Sequence, residues 1–573
     1  MKNSQVVKIF RNIADILEIK GENVFRIRAY NRAADVIEGL SDDIEELAKQ
    51  EALTGIPGIG KDLEAKIKEI IASGTCGAYE LLRKEVPEGL LQIMAVPGIG
   101  PKTAKSLYDQ LQVKNVAELE RAIADGKLRG MRGVKDKTIG NILKGIELLK
   151  QGNERMPLAA AIETARSFVA GLQRQKEAGK ISEAGSLRRK RETVRDIDIL
   201  VTSDKPGEVM DSFVSLPRVE DVVARGETKS TVRTDEGVQV DCRVVDEKSF
   251  GAALVYFTGS KNFNIRLRSI AQKKGWKVNE YGVFDVSGKQ EKLLAGKTEE
   301  DIFKLFGMEF IPPEIREDTG EIELALEHKL PRLVELKDIK GDLHCHSKWS
   351  DGGETIAAMA AKARSLGYSY LAVTDHSESL KIARGLDRAA LKKKRKEIDS
   401  LNRGFKDFRI LFGAEVDVDL EGKPDYPDEV LADFDIVVAA VHTGFKLPKK
   451  QMTARMVRVC RNKRIHIIAH PTGRLWGARD GYDVDLTEVF KAAADTNTAM
   501  EINSFPQRLD LNDQNARQAK DLGVRIAIDT DSHAAGHLDN MILGIDVARR
   551  GWLEPRTVLN TLPVDQLLKT VRK

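Results

Sequence analysis

The sequence of 573 residues contains few cysteines and no long apolar run. Its cysteines lie far apart and form no Cys-x-x-Cys pair, which favours a reduced, cytoplasmic compartment. Residues 1–10 continue into a charged amphipathic pattern, and no segment is apolar enough for a signal peptide or a membrane span. We therefore expect no membrane association. The cysteines are Cys76, Cys242, Cys345 and Cys460.

The chain also lacks a strong net charge, because 92 basic residues nearly balance 88 acidic ones. Nucleic-acid binding must therefore depend on a local basic patch and not on the field of the whole protein. The composition is ordinary for a globular protein, without low-complexity tracts, and the length predicts about three to five domains.

Two alternating segments bring three carboxylates close together. In residues 195–201 the alternation places Asp196 and Asp198 on one face of a strand, and in residues 238–244 it places Asp241 on the polar face of another. Such carboxylates repel one another unless a cation lies between them, and Mg²⁺ binds through carboxylates and substrate phosphates. The pattern predicts phosphoryl transfer, while the alternative is an Asp-x-Asp pair that simply faces solvent.

The surrounding motifs favour the catalytic interpretation. Gly185 and Ser186 form a turn whose backbone N–H groups suit a phosphate, and the basic residues 188–191 follow at once. Residues 256–268 are a Tyr-Phe-Thr-Gly-Ser turn that leads into a basic helix. In this order, Gly-Ser, Asp-x-Asp, Asp and Tyr-Phe-Thr-Gly-Ser, the motifs resemble the family X DNA polymerases.

The resemblance implies a role for each of these residues. Asp196, Asp198 and Asp241 would hold Mg²⁺ or Mn²⁺, with Asp241 as the general base for the primer 3′-hydroxyl. The implied nucleotide-binding residues are Gly185, Ser186 and Arg189 for the triphosphate, Tyr256, Phe257 and Gly259 along the sugar, and Asn264 and Arg268 near the nascent pair and the template. Better-known vertebrate members have Gly where this chain has Arg195 and Asp where it has Lys261, so nucleotide affinity and metal preference should differ.

The first 150 residues are expected to be helical and contain a loose repeat. Residues 55–61 and 96–102 each carry a Pro-Gly-Ile-Gly turn before a helix, and residues 131–138 are a degraded third copy. Glycines permit close approach of the backbone, and a helix N-terminus attracts phosphate, although a single such turn is often a mere helix linker. The repeat resembles the helix-hairpin-helix motif, which implies DNA-backbone contacts at Gly58, Gly60, Lys61, Gly98, Gly100 and Lys102.

Residues 25–34 resemble the lyase domain of the same polymerases. The resemblance matches Lys66 to the Schiff-base lysine that removes a sugar phosphate from an incised abasic site. That mechanism needs a lysine of lowered pKa, near other cations or desolvated. Two supporting lysines are replaced by Arg26 and Asp62, so the alternative is a surface lysine that contacts phosphate.

After residue 338 the chain changes character, because histidines and carboxylates recur at the ends of apolar runs. These runs are typical of buried parallel strands and alternate with helical stretches, which predicts a barrel of βα units with its site at the carboxyl ends of the strands. So many ligands are too many for one ion and suit Zn²⁺ or Mn²⁺. They are His344, His346, Asp351, His376, Glu415, His442, His470, Asp531 and His533.

The layout of these ligands resembles the PHP (polymerase and histidinol phosphatase) domain. The resemblance implies a distorted seven-stranded barrel that hydrolyses phosphoesters with about three ions, and it leaves His328, His466 and His537 without a ligand role. Arg474 is the expected phosphate clamp. The basic run 392–396 could guide DNA to this site, although a solvated helix face is the plainer interpretation.

Together these features predict a multidomain α/β protein with the layout of the bacterial and archaeal family X polymerases called PolX. We expect a monomer that binds gapped or nicked DNA and deoxynucleoside triphosphates and fills short gaps in repair. The barrel is expected to supply a 3′–5′ exonuclease, with abasic-site endonuclease activity as an optional addition. The alternatives are template-independent nucleotidyl transfer and a DNA-end-binding scaffold with idle sites. The expected domains are 1–80 (lyase-like, helix-hairpin-helix), 81–154 (second helix-hairpin-helix), 155–244 (palm), 245–316 (thumb-like), 317–338 (linker) and 339–573 (PHP barrel).

Overall fold

The computed structural model describes residues 2–38, 44–49, 51–56, 58–86, 88–94, 101–128 and 155–571, with single positions at 96, 99, 131, 139, 142, 143 and 146. Within these residues, none of the helices combines the length and the apolar character that crossing a bilayer requires.

The N-terminal part is helical, as expected. Its helices share a core in which Phe10 and Tyr30 meet edge to face with ring centroids 5.5 Å apart. The helix that follows the first glycine turn begins at Lys61. The helices are α1 (Lys2–Lys20), α2 (Val24–Glu38), α3 (Ile44–Lys49), α4 (Lys61–Ser73), α5 (Gly77–Glu85), α6 (Glu88–Met94), α7 (Pro101–Leu111) and α8 (Val116–Ala124).

The palm is a mixed sheet with the strand order β2-β4-β7-β6-β5. Strands β4 and β7 are parallel neighbours in register, and the other pairs are antiparallel. Helices α9 and α11 bury Phe168 and Phe213 beneath the sheet. The elements are β1 (Met156–Pro157), α9 (Leu158–Gln173), β2 (Ile181–Glu183), α10 (Gly185–Arg188), β3 (Thr193–Val194), β4 (Asp196–Thr202), α11 (Pro206–Val214), β5 (Val219–Arg225), β6 (Lys229–Thr234) and β7 (Gln239–Val245).

The thumb-like region packs helices against a small antiparallel sheet around Phe263, Phe303 and Phe306. Residues 317–338, expected to be a linker, include a helix whose Ile322 and Ala325 are buried in this core. The elements are α12 (Phe250–Thr258), α13 (Lys261–Lys273), β8 (Trp276–Asn279), β9 (Gly282–Asp285), β10 (Lys292–Ala295), α14 (Glu299–Phe306) and α15 (Glu321–Leu326).

The C-terminal part is a parallel barrel, which confirms the predicted βα architecture. Within residues 339–571 its seven strands follow one another in chain order, and a bridge between Cys345 and Ser532 joins the first strand to the segment that follows the last. The elements are β11 (Gly341–Cys345), α16 (Ile356–Ser365), β12 (Tyr370–Val373), α17 (Arg388–Asn402), β13 (Arg409–Asp417), α18 (Asp428–Leu431), β14 (Ile436–Ala440), α19 (Lys449–Arg461), β15 (Ile467–Ile468), α20 (Leu486–Thr496), β16 (Ala499–Asn503), α21 (Asp513–Asp521), β17 (Ile526–Asp529), α22 (Met541–Arg550) and α23 (Val564–Val571).

The barrel and the thumb-like region share apolar packing. Trp552, which follows α22, is buried in the same cluster as the thumb residues Phe263 and Phe303. Leu567 and Leu568 of α23 pack into the apolar interior of the barrel together with Leu343. Ligand side chains can therefore gather only at the open, carboxyl end of the strands.

Two candidate metal centres

The three palm carboxylates meet because of strand register. Alternation along β4 puts Asp196 and Asp198 on one face, and the parallel pairing sets Asp241 of β7 directly beside Asp198. Burial, and then the neighbouring charges of Asp196 and Asp241, raise the pKa of Asp198 to about 7. Lys229 offsets part of this charge, since its Nζ lies 3.4 Å from Asp241 Oδ2. The three carboxylates repel one another, and a hard divalent cation that binds oxygen ligands would relieve this repulsion.

The Gly-Ser turn lies directly over this group. Gly185 has φ +62°, and a Cβ placed there would come within 2.3 Å of Asp198 Oδ2. Only glycine allows the turn to approach so closely. The expected triphosphate-binding turn and the expected metal ligands are therefore one compact site.

Arg189 joins this turn to the second nucleotide motif. Its Nη1 donates to the carbonyl of Thr258, and its Nε lies 3.2 Å from Glu317 Oε1. Gly259 packs against the same side chain, since a Cβ there would lie 3.2 Å from Arg189 Nη1. The predicted triphosphate and sugar motifs are thus brought together around Arg189.

The remaining nucleotide-binding candidates follow on α12 and α13. The rings of Tyr256 and Phe257 meet edge to face at 5.1 Å. Asn264 Nδ2 donates to the carbonyl of Tyr256 at 2.6 Å, and Arg268 Nε donates to the carbonyl of Asn264 at 3.2 Å. Arg268 is exposed.

A buried ion triad that the sequence analysis did not anticipate ties the palm to the thumb. Arg188 and Arg316 both contact Glu299, with nitrogen–oxygen distances of 2.6 Å. Burial opposes ionisation of Glu299, but the two guanidinium groups outweigh it and lower its pKa to about 2. Because the three residues are distant in the sequence, no local pattern points to the triad.

In the barrel, all nine predicted ligands gather at the carboxyl end of the strands. Their donor atoms form three overlapping groups in which all atoms lie within 4.8 Å of one another. His470 joins them through a 3.1 Å contact between its Nε2 and Glu415 Oε1. The groups are His346, Asp351, His376 and His533; His344, His346 and Asp531; and His376, Glu415 and His442.

The electrostatics of this cluster suit metal ions. Burial and the neighbouring His533 and His376 lower the pKa of His346 to about 4, so its imidazole is neutral and can bind a metal. The Nδ1 atoms of His346 and His470 are buried and have no hydrogen-bond partner in the described part of the chain. His346 and His470, whose pKa values burial lowers, therefore offer neutral imidazoles beside buried carboxylates, a donor set that Zn²⁺ and Mn²⁺ bind.

Two carboxylates that the sequence analysis missed orient the ligands. Glu501 Oε1 lies 2.7 Å from His344 Nδ1, and Asp417 contacts Nδ1 of His442. A carboxylate on the second ring nitrogen fixes the tautomer of a metal-binding histidine. The signals were available, since Glu501 interrupts a buried apolar strand and Asp417 lies two residues after Glu415.

Lys394, in the basic run 392–396, neither faces solvent nor is available to guide DNA. It is fully buried, and its Nζ lies 2.9 Å from Asp375 Oδ2. Asp375 also accepts hydrogen bonds from the backbone N–H and hydroxyl groups of Ser347 and Ser350. Lys394 therefore stabilises the loop between the ligands His346 and Asp351.

The structure assigns Arg474, the expected phosphate clamp, a different set of partners. Its Nε donates to the carbonyl of Arg508, and its Nη2 contacts the carbonyl of Leu509 and Glu192 Oε2 of the palm, the latter at 2.8 Å. Arg508 itself lies nearer the ligands, with its Nε 3.3 Å from Asp531 Oδ2. Arg508 therefore lies beside the candidate ligand Asp531, while Arg474 links the barrel to the palm.

Only some of the residues that are predicted to contact the DNA backbone belong to the described part of the chain. Gly58, with φ +94°, and Gly60 precede α4, and Lys61 at its start is exposed. Gly98, Gly100, the side chain of Lys102 and residues 132–138 lie outside the described residues. Gly58 and Gly60 thus lead into a helix N-terminus, the position at which a phosphate contact is expected.

Lys66 does not have the environment of a nucleophilic lysine. Its Nζ lies 2.5 Å from Asp62 Oδ1. Burial lowers the pKa of Lys66, but the hydrogen bond to Asp62 and the nearby Tyr30 outweigh burial, so the pKa is raised. A Schiff-base lysine needs the opposite shift.

Comparison with known proteins gives matches along most of the chain. Family profiles match residues 1–76 as a helix-hairpin-helix domain, 90–147 as a SAM-like helix-hairpin-helix tandem, 253–317 as DNA polymerase beta thumb, and 342–504 as a PHP domain. The chain is 40% identical over 562 residues to the DNA polymerase/3′-5′ exonuclease PolX of Bacillus subtilis (strain 168). The matched region covers 98% of this chain and 97% of that protein.

More distant relatives match about half of the chain. DNA polymerase lambda of Rattus norvegicus is 25% identical over 342 residues, covering 55% of this chain and 56% of that protein. The DNA-directed DNA/RNA polymerase mu of Homo sapiens is 25% identical over 324 residues, covering 51% and 64%. The match to the Bacillus subtilis relative, by contrast, extends over 98% of this chain.

Proposed function

The chain belongs to the PolX family of DNA polymerases, and on that basis we propose that it fills short gaps in DNA with its palm and trims 3′ ends with its barrel. The single observation that supports this proposal is that one chain brings together two separate groups of candidate metal ligands, three carboxylates in the palm and nine donor residues in the barrel. The proposal is supported by a relative named as a DNA polymerase and 3′-5′ exonuclease, because the match to that relative includes both the palm and the barrel.

In the palm, Asp196, Asp198 and Asp241 would hold Mg²⁺ or Mn²⁺. When bound, these ions supply charge neutralisation at the triphosphate. Asp241 is the proposed acceptor of the proton from the primer 3′-hydroxyl. Gly185 and Ser186 present the turn to the triphosphate, and Arg189 supplies a cation beside it.

In the barrel, the nine ligands would hold Zn²⁺ or Mn²⁺, about three ions in all. When bound, the ions supply Lewis acidity toward a phosphoester. Glu501 and Asp417 keep the ligand imidazoles in one tautomer. We propose that Arg508 contacts the scissile phosphate, because its guanidinium lies beside Asp531 whereas Arg474 is engaged in a link to the palm.

The proposed substrates are gapped or nicked DNA and deoxynucleoside triphosphates, and the proposed state is a cytoplasmic monomer. The glycine turns would contact the DNA backbone, so affinity should fall steeply with salt concentration. The same barrel chemistry would also cut beside an abasic site. We do not propose lyase chemistry at Lys66, because its pair with Asp62 raises its pKa.

The test uses one labelled gapped substrate, with each divalent metal, with and without deoxynucleotides. Asp198→Ala should lose nucleotide addition and keep 3′ trimming, and His344→Ala should do the reverse. If Asp198→Ala extends primers like the wild type, the protein is a DNA-end-binding scaffold and the proposal fails. Equal extension of gapped and single-stranded substrates would instead indicate template-independent transfer.

A further inference from the structure

Helix α22 of the barrel ends against the polymerase half, and its last residue reaches the nucleotide site. The Arg550 side chain is only 4% exposed. Its Nε and Nη2 lie 2.8 and 2.7 Å from Asp513 Oδ2 of the barrel. Its Nη1 donates to the backbone carbonyl of Arg189 at 2.7 Å, to that of Glu314 at 3.1 Å and to Glu317 Oε1 at 3.1 Å. The guanidinium is thus fixed on the barrel and directed at the palm.

One carboxylate oxygen is shared by the cations on both sides of this contact. Glu317 Oε1 lies 3.2 Å from Arg189 Nε, 3.1 Å from Arg550 Nη1 and 3.9 Å from Arg191 Nη1. The side chains of Arg189 and Glu317 are 14% and 23% exposed. Where water is largely excluded, neighbouring charges act strongly on one another. How firmly Glu317 pairs with Arg189 therefore depends on Arg550.

We propose that Arg550 is a positioning residue for nucleotide addition by the palm. It holds the backbone of Arg189 in place, and it draws the negative charge of Glu317 away from the Arg189 side chain. The guanidinium of Arg189 then remains available to the incoming triphosphate. This inference rests on the proposed function, in which Arg189 contacts the triphosphate.

Loss of Arg550 should therefore weaken binding of the deoxynucleotide by the palm and leave 3′ trimming by the barrel unchanged. Without its charge, Glu317 would pair more fully with Arg189, and the attraction of the site for a triphosphate would weaken. In Arg550→Met we expect the KM for deoxynucleotide in single-nucleotide gap filling to rise about tenfold, as when a charge-assisted hydrogen bond is weakened. The kcat for addition should change less than the KM, and 3′ trimming should stay within about twofold of wild type.

Two further variants separate this role from a merely structural one. Arg549→Met is the matched control, because Arg549 crosses the same interface but contacts Glu314 and Val334, not Arg189. It should leave the KM unchanged. Adding Glu317→Gln to Arg550→Met removes the competing charge and should bring the KM back toward the wild-type value.

The proposal is overturned if the KM for deoxynucleotide in Arg550→Met equals that of wild type. It is also overturned if kcat, KM and trimming all worsen together, or if Glu317→Gln brings no recovery, because a structural role predicts those results. Should Arg550→Met not fold, Arg550→Gln removes the charge but keeps hydrogen-bond donors, and an unchanged KM in that variant overturns the proposal. Failure of the proposed function itself is distinct, since the wild type would then add no nucleotide at all.

Discussion

Replacement of Gly185 by alanine should stop nucleotide addition while leaving the barrel active. The new Cβ would come within 2.3 Å of Asp198 Oδ2, whereas carbon and oxygen need about 3.2 Å. Relief of this overlap requires a shift of roughly 1 Å in the turn or in the carboxylate, and a displacement of that size costs on the order of 100-fold in rate. The positive φ of +62° adds backbone strain of about 1 kcal/mol.

The assay is single-turnover extension of a gapped primer, with 3′ trimming of the same labelled strand measured in parallel. Gly207→Ala is the matched control, because Gly207 lies on a palm helix where an added Cβ would meet nothing within 4 Å. Gly207→Ala should extend like wild type. We expect Gly185→Ala to lose about 100-fold or more in extension with trimming unchanged. Normal extension by Gly185→Ala would refute the claim that the turn and the carboxylate form one site.

Three further substitutions test the barrel and its interface. Glu501→Gln should lower metal affinity of the barrel about 10- to 100-fold by releasing His344, seen as metal content after dialysis, with gap filling intact. Arg508→Met should weaken single-stranded DNA binding and trimming while the metal content stays at the wild-type level. Burial raises the pKa of Asp546 to about 7, so the folded wild type holds a proton that the unfolded chain releases, and its stability falls as the pH rises from about 4 toward 7. Asp546→Asn removes this loss and should stabilise the protein at high pH.

A specific result would contradict each of these three predictions. Full metal content in Glu501→Gln would mean that the carboxylate does not hold the imidazole. Unchanged DNA binding and trimming in Arg508→Met would remove Arg508 from the phosphate site. For Asp546, the difference in unfolding free energy between variant and wild type should widen from about pH 4 and level off above about pH 7, and a constant difference would contradict the assigned shift.

Local pattern was enough to predict which candidate ligand residues come together at each of the two sites. Alternation along a strand fixes which residues share a face, so Asp196 and Asp198 follow from the sequence alone, and parallel strands in a barrel bring their carboxyl ends together. The histidines that end apolar runs therefore converge without knowledge of the packing. The same reasoning gives the fold class of the barrel.

Contacts between distant segments could not be predicted in this way. The link from Arg474 to Glu192, the burial of Lys394 and the pairing of Arg550 with Glu317 depend on how domains dock and how a helix is rotated. Charge patterns along the chain mark such residues as exposed cations, and only the fold reveals their partners. Lys66 shows the same limit, since its neighbour Asp62 decides its pKa.

The central claim is that this chain has two separate cation sites, and anomalous diffraction from crystals grown with Mn²⁺ tests it most directly. The account predicts anomalous peaks within about 2.5 Å of the carboxylates of Asp198 and Asp241, and a separate group of peaks among His346, His376 and Glu415. In crystals of His344→Ala the barrel peaks should weaken while the palm peaks remain. Absence of peaks at either site at saturating Mn²⁺ would contradict the account.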